Sequence, residues 1–490
     1  MAQKSSKDIN PITLEETFRD QVSSISSEGK RNWIYPKKPN GYYYKARTVL
    51  SWFLLGFLFL APFIKINGNP IILLNILERK FIIFGVVFWP QDFYLLFLAM
   101  MTLIIFIVLF TAIWGRLFCG WVCPQTIFME MLFRKIEYLI EGDAGNQKRL
   151  DKAPWNFSKI FKKSSKHIIF FALSFLIANT FLAYIIGIDA LWEIITKPPT
   201  EHLAGFTAIT VFSLIFYGVF ARFREQVCLV ACPYGRLQSV LVDNDSIAVT
   251  YDFARGEGRA PVKDRKLENG VVTNEPKKDS YSTPIGDCID CEQCVKVCPT
   301  GIDIRNGIQL ECINCTACID ACDEVMRKIG KPENLVTYTS YNAVKENRKP
   351  RFFTTRVIAY MAVFAIVSTL FTYFLLTRAD VNVVILREPG MLYNELPGER
   401  YSNFYNAKLY NKTFNDIDIE IRLLNPIGEL NFLGDMQIVP GAGQTEQRLM
   451  VFLHESDLAS QQTPIQFGLF QNGELIQTIN SRFIGPTLNR

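Results

Sequence analysis

The chain has 490 residues, enough for several structural units, and its 52 Lys and Arg against 47 Asp and Glu leave a net charge of +5. That near-neutral balance excludes a dedicated nucleic-acid binder, while 49% hydrophobic residues, 39 of the residues being Phe, exclude a disordered chain and point to a membrane protein. Three histidines (His167, His202 and His454) are too few for a bis-His multi-haem protein or a His-rich metal centre.

Residues 1–48 read as a basic, loosely ordered cytoplasmic tail with no apolar core of the signal-peptide kind. Five uncharged apolar runs follow, Val49–Ile64, Phe93–Trp114, Ile168–Ile188, Leu203–Ala221 and Val357–Leu376. Four approach the roughly 20 helical residues that cross a hydrocarbon core. The first is shorter, but Arg47 and Lys65 flank it and can snorkel outward. Pro70–Pro90 is also apolar, yet it carries Glu78, Arg79 and Lys80. Adjacent charges at mid-membrane are costly, so this segment is expected to be interfacial or re-entrant rather than a sixth span.

Loop charge sets the expected orientation. The tail before the first span holds nine Lys or Arg, the segment 65–92 three, the segment 115–166 ten, and 189–202 only Lys197. The N-terminus, 115–166 and 222–356 are therefore expected in the cytoplasm, with the tail 377–490 outside. All twelve cysteines then lie on the reducing side and read as metal ligands rather than disulfides.

Residues 49–253 hold spans one to four and two Cys-x3-Cys-Pro elements, Cys119/Cys123-Pro124 and Cys228/Cys232-Pro233, each following the cytoplasmic end of a span. On a helix, positions i and i+4 share a face with β-carbons about 5–6 Å apart. That is wider than the ~3.8 Å a disulfide prefers, but it suits two thiolates on one metal centre. Two facing pairs offer up to four soft ligands for Cu(I) or for another iron–sulfur centre. Buried cysteines acting as small hydrophobes are the alternative. Met129 and Met131 are expected to be packing residues, and His167 an interfacial one.

Residues 254–286, rich in Gly, Lys, Asp, Ser and Pro, are expected to form a mobile linker. In 287–330, Cys288, Cys291, Cys294 and Cys298 follow the spacing C-x2-C-x2-C-x3-C, and Cys312, Cys315, Cys318 and Cys322 repeat it at an offset of 24. This is the pattern of a two-cluster bacterial ferredoxin, in which the fourth cysteine of each run ligates the other cluster. Cluster one is expected on Cys288, Cys291, Cys294 and Cys322, and cluster two on Cys312, Cys315, Cys318 and Cys298. Zinc favours two separated pairs with tetrahedral closure, which this doubled run does not resemble. Asp323 stands where Pro299 stands in the first run.

Residues 331–356 are a cytoplasmic connector, 357–376 the fifth span, and 377–490 an all-β unit. Short runs at Val381–Leu386, Tyr401–Tyr410, Ile417–Leu424, Arg448–Leu453, Ile465–Leu469 and Leu475–Phe483, separated by turn signals such as Pro397-Gly398, predict an immunoglobulin-like sandwich.

Five spans, the element Trp114-Gly-Arg-x2-Cys119-Gly-Trp-x-Cys123-Pro124, the second element Cys228-x3-Cys232-Pro233-Tyr234, an eight-cysteine ferredoxin insert and a C-terminal sandwich together resemble the FixG/RdxA/CcoG family. These are polyferredoxin-like cytochrome c oxidase accessory proteins. The resemblance runs over about residues 40–487. It implies an α-helical membrane protein with two [4Fe–4S] clusters on the eight ferredoxin cysteines. It implies reduction of Cu(II) to Cu(I) for assembly of a cbb3-type oxidase, with Cys119, Cys123, Cys228 and Cys232 as the catalytic metal site. The implied partners are a cytoplasmic electron donor, copper transport or chaperone proteins and oxidase subunits, with no nucleic acid. Two other readings follow from the same residues. One is a quinol- or ferredoxin-fed relay like NapH and NosR, and the other is a non-catalytic assembly scaffold.

Overall fold

The computed structural model describes residues 30–486 apart from 67, 199, 269–270, 278–283, 391, 435–437 and 472. The early part of the expected basic tail and part of the expected linker lie outside the described residues. Among the described residues, the helices that frame the site are α1 (Tyr42–Leu60), α2 (Phe93–Trp114), α3 (Phe157–Ile186), α4 (Leu203–Gly218), α5 (Pro233–Leu241), α6 (Ala317–Lys328) and α7 (Thr355–Leu376). Five helical stretches among the described residues are long and apolar enough to cross a membrane: Tyr42–Phe63, Pro90–Trp114, Phe157–Ile186, Leu203–Phe223 and Thr355–Leu376. They coincide with the five predicted runs. α2 carries no charge on any face, the signature of a helix surrounded by lipid or by protein.

Pro70–Pro90 is not a sixth membrane-crossing helix. It folds as an antiparallel meander of β1 (Ile72–Asn75), β2 (Lys80–Ile83) and β3 (Val86–Phe88). Glu78 and Arg79 occupy the hairpin tip, where Arg79 takes a left-handed φ of 56°. β-Branched Ile and Val and aromatic Phe, which supply most of these strands, favour strand over helix here.

The chain divides into two compact units: Met1–Phe59, Met101–Phe181 and Lys197–Ser368 form one, and Leu60–Met100, Leu182–Thr196 and Thr369–Arg490 the other. The first contains all twelve cysteines. Its cluster-bearing domain is larger than the cysteine run. β4 (Ala248–Tyr251) pairs antiparallel with β7 (Val336–Thr339), and the core joins Val249, Tyr251, Val272, Ile304, Ile319, Met326 and Val336. The expected linker 254–286 instead carries a hairpin of β5 (Arg265–Glu268) and β6 (Val271–Pro276). Arg265 is fully buried and donates to the carbonyls of Ala260 (2.8 Å), Gly286 (2.7 Å) and Cys288 (2.6 Å). An arginine amid Gly, Lys and Asp reads as solvated charge in a sequence. Here it is the clamp that closes the hairpin onto the first cluster loop.

The end of the expected tail is also fixed. Lys37 N–H donates to Lys296 O at 2.8 Å, and the Asp320 carboxylate accepts from the Tyr43 (3.1 Å) and Tyr44 (2.8 Å) backbone N–H groups. Asp320 thus caps the N-terminus of α1 from inside the cysteine-bearing helix α6.

The second unit holds the meander and the C-terminal sandwich. One sheet runs β8 (Val381–Arg387), β10 (Arg400–Asn411), β13 (Gln444–His454), β12 (Glu429–Leu433), with β9 (Asn394–Leu396) on β10. The other runs β11 (Glu420–Asn425), β14 (Gln462–Gln471), β15 (Glu474–Ile484). Val383, Ile385, Tyr405, Leu449, Val451, Phe467, Leu469 and Phe483 fill the space between the sheets. The meander joins a smaller core in which Ile82, Val87 and Trp89 meet Tyr410 and Ala442. A buried ion pair, Asp92–Lys412 at 2.6 Å, closes that contact.

Candidate functional site

The eight ferredoxin cysteines come together in two groups. Cys288, Cys291, Cys294 and Cys322 line one pocket, and Cys298, Cys312, Cys315 and Cys318 line another that Cys294 also borders. These are the crossed sets expected from the spacing. The backbone repeats with the sequence: Asp290 and Glu292 in the first loop and Asn314 and Thr316 in the second all take φ between 53° and 64°. Left-handed residues at equivalent offsets fold each loop tightly and aim backbone N–H groups inward, as at anion and iron–sulfur sites. Asp323, in place of the second proline, accepts the Asn334 N–H at 2.8 Å and closes the turn by a side-chain bond.

Burial pushes the thiols of Cys294 and Cys312 up to about 12 and that of Cys315 up to about 11. Without iron these groups stay protonated, so metal binding must expel their protons. Among the described residues, no three His, Cys, Asp or Glu side chains converge on a point as for a single metal ion. Sets of four thiols around a shared volume suit a polynuclear cluster. The residues present therefore fit two [4Fe–4S] groups, each held by four sulfurs and enclosed by Ile289, Ile302, Ile304, Ile313 and Met326.

The Cys-x3-Cys-Pro loops lie beside the second cluster pocket. Cys119 packs against Val297, Ile313, Cys315 and Ala317. Gly120 is buried, and a β-carbon there would stand 2.4 Å from Ile313 O and 2.9 Å from Asn314 C, so only glycine permits this approach. Arg47, on α1 and buried, bridges the two loops by donating to Gly120 O (3.0 Å) and Cys315 O (3.1 Å). A polar cleft lined by Arg116, Gln238, Asp243, Glu311, Cys312 and Asn314 opens beside them. Gln238 accepts from the Cys119 thiol at 3.3 Å.

Sequence reasoning missed the scaffold behind these loops. Glu130, Arg134, Glu137, Glu141, Lys166, Arg224 and Glu225 are all buried. Arg134 pairs with Glu130 (2.5 Å) and Glu225 (3.9 Å), Arg224 with Glu137, and Lys166 with Glu141 (2.8 Å). The network joins the helical segment after Cys123 to the residues just before Cys228. The (i, i+4) Glu130–Arg134 spacing is the one signal that the sequence offered. The other expectations resolve simply. Met129 belongs to an apolar core, Met131 accepts from Thr48, His167 bonds the Tyr217 hydroxyl at 2.8 Å, and His454 bonds Ser456.

Comparison with known proteins gives concordant matches. A 4Fe–4S dicluster domain model matches residues 223–341, a 4Fe–4S binding domain model matches 96–141, and the model of the IG-like fold at the C-terminus of FixG matches 371–486. Protein RdxB of Cereibacter sphaeroides is 34% identical over 420 residues, covering 82% of this chain and 83% of RdxB. Protein RdxA of the same organism is 33% identical, covering 79% and 81%. The nitrogen fixation protein FixG of Rhizobium meliloti is 34% identical over 325 residues, covering 65% of this chain and 59% of FixG.

Proposed function

The chain belongs to the FixG/RdxA family of iron–sulfur proteins, and from that premise we propose that it is a membrane-bound relay that delivers single electrons to Cu(II), yielding Cu(I) for assembly of a cbb3-type cytochrome c oxidase. Cys288, Cys291, Cys294 and Cys322 hold one [4Fe–4S] cluster, and Cys298, Cys312, Cys315 and Cys318 hold the other. When bound, these groups supply one-electron carriers. The chain's own residues do the rest. Arg265 and the left-handed turns hold the sulfur-bearing loops, the isoleucines keep water from them, and Arg47 with Gly120 keeps the second pocket against Cys119. The Cys119, Cys123, Cys228 and Cys232 loops stand at the exit, where Cu(II) takes up one electron.

The observation that carries this reading is the direct packing of Cys119 against the Cys315 loop, which makes the two kinds of cysteine site neighbours. Cu(II) must be reduced before thiolate or thioether carriers hold it well, and a one-electron donor is matched to that step. The cysteine-bearing side faces a cytoplasmic electron donor, and the C-terminal sandwich is a periplasmic docking module for oxidase or copper-delivery proteins. The experiment is anaerobic. Protein reduced with dithionite, then freed of excess reductant, is mixed with Cu(II) and a Cu(I) chelator. Recovery of the oxidised-cluster absorbance with one Cu(I) per electron is expected. Clusters that stay reduced in the presence of Cu(II) overturn the proposal.

A further inference from the structure

Four thiols stand at the exit of the relay, and their local structures are counterparts. Cys123 N–H donates to Phe118 O at 2.9 Å and Cys232 N–H to Val227 O at 2.8 Å, each a bond to the residue five positions earlier. Both cysteines then turn extended, with ψ of 124° and 112°, and both are followed by a proline that opens a helix. Such π-type turns concentrate at functional sites. One turn is used twice to present two pairs of sulfurs.

The pairs are neighbours. The Cys119 thiol donates at 3.3 Å to Gln238 of α5, the helix that follows Cys232; the rings of Phe118 and Tyr234 meet edge to face at 6.4 Å; and Arg116 donates to Gly235 O. The relative position of the loops is locked from behind by the Arg134–Glu225 and Arg224–Glu137 pairs and by the Phe133–Phe220 rings, stacked at 4.6 Å.

The family match selects the occupant. The 4Fe–4S match over 96–141 contains Cys119 and Cys123 and no other cysteine, so a cube there needs two ligands from elsewhere, and the thiols at hand are Cys228 and Cys232. Arg116, within electrostatic reach of Cys119 and Cys312, supplies positive charge between the two sulfur sites.

We propose that Cys119, Cys123, Cys228 and Cys232 together bind a third [4Fe–4S] cluster, seated against the second ferredoxin cluster. The inference rests on the relay reading and names the exit carrier. One electron passes from this cluster to Cu(II) at its edge; the cluster is oxidised by one electron, copper is reduced by one, and no bond or proton changes place.

The test counts iron and acid-labile sulfide in full-length protein purified anaerobically in detergent, with Mössbauer spectra to assign the iron. Three cubes give about 12 of each per chain and two give about 8. Wild type is expected near 12, and the Cys123→Ser/Cys232→Ser double variant is expected to lose one third while keeping the ferredoxin EPR signals. Wild type at about 8, or at about 10 with a two-iron spectrum, overturns the inference, and this count stands even where the variant does not fold. The two proposals fail separately. Iron near 8 with Cu(II) still reduced removes the third cluster and leaves the relay, whereas iron near 12 with clusters inert to Cu(II) does the reverse.

Discussion

Replacing Arg265 with Met tests whether residues 254–286 are a structural part of the cluster domain. The guanidinium is fully buried and donates to three backbone carbonyls, at 2.6–2.8 Å, and to Asn274 Oδ1 at 3.1 Å. Methionine matches much of its length but donates nothing. Each buried carbonyl left without a partner costs roughly 1–3 kcal/mol, so three cost about 3–9 kcal/mol. Burying a neutral side chain instead of a charge offsets part of this, which places the net loss near the lower end, about 3–5 kcal/mol. A domain commonly has about 5–15 kcal/mol in total. The Cys288 loop, held directly through its carbonyl, should therefore release its cluster first. Iron per chain and the urea midpoint are the readouts: Arg265→Met is expected to lose about half the ferredoxin iron, and Arg265→Lys, which keeps the charge but gathers its donors on a single nitrogen, to fall between. Full iron with an unchanged midpoint in Arg265→Met would refute the clamp and return this segment to a linker.

Gly120→Ala places a methyl against the backbone at Ile313 O and Asn314 C, atoms that cannot rotate away. Overpacking of this kind costs about 1–3 kcal/mol. Iron content should hold while stopped-flow reduction of Cu(II) slows, and an unchanged rate would show that the approach does not matter for transfer. Asp287 supplies a pH test. Burial alone raises its pKa, but Lys331 at 2.6 Å, Asn274 at 3.0 Å and Arg255 at 3.1 Å outweigh burial and hold it below the ordinary carboxylate value. A depressed folded-state pKa contributes stability that is present above the unfolded value and lost as pH falls through the folded one. Asp287→Asn should lower the thermal midpoint at neutral pH, and the gap from wild type should close below about pH 4. A gap that does not narrow at all as the pH falls below about 4 would assign the effect to shape rather than charge.

What a sequence reveals here depends on how local the physics is. The five long apolar helices and the eight ferredoxin cysteines are written in consecutive residues, because both are local patterns of composition and spacing. The crossed cysteine sets were legible for the same reason. β12 was missed because Glu-Leu-Asn-Phe-Leu at 429–433 is short and its neighbour in the sheet, β13, follows a turn at a distance. The strands of the meander were not legible because their partners Tyr410 and Ala442 lie more than 300 residues away. Arg265, Arg47 and Asp320 were invisible as site residues because an isolated charge signals solvent unless its buried carbonyl or N–H partners are known.

Those three residues share a consequence. Asp320 lies between Cys318 and Cys322 and caps α1; Arg47 leaves α1 to reach the Cys315 loop and the Gly120 loop; Gly41 admits Asp320 only because it has no β-carbon, which would stand 2.3 Å from Asp320 Cγ. The first long helix is thus tied to the second cluster pocket on both sides of Cys318, through Cys315 and through Asp320. Electron transfer between neighbouring sulfur sites demands fixed separations, since a relay on a flexible linker samples many distances and conducts only in the shortest. A ferredoxin inserted between spans four and five through long connections would have such freedom. The capped helix, the bridging arginine and the buried Arg265 clamp remove it, and they do so with residues outside the cysteine motifs. Mutations at these positions should therefore act on transfer rate and cluster retention, whereas loss of the C-terminal sandwich, which contributes no cysteine, should leave both unchanged in purified protein.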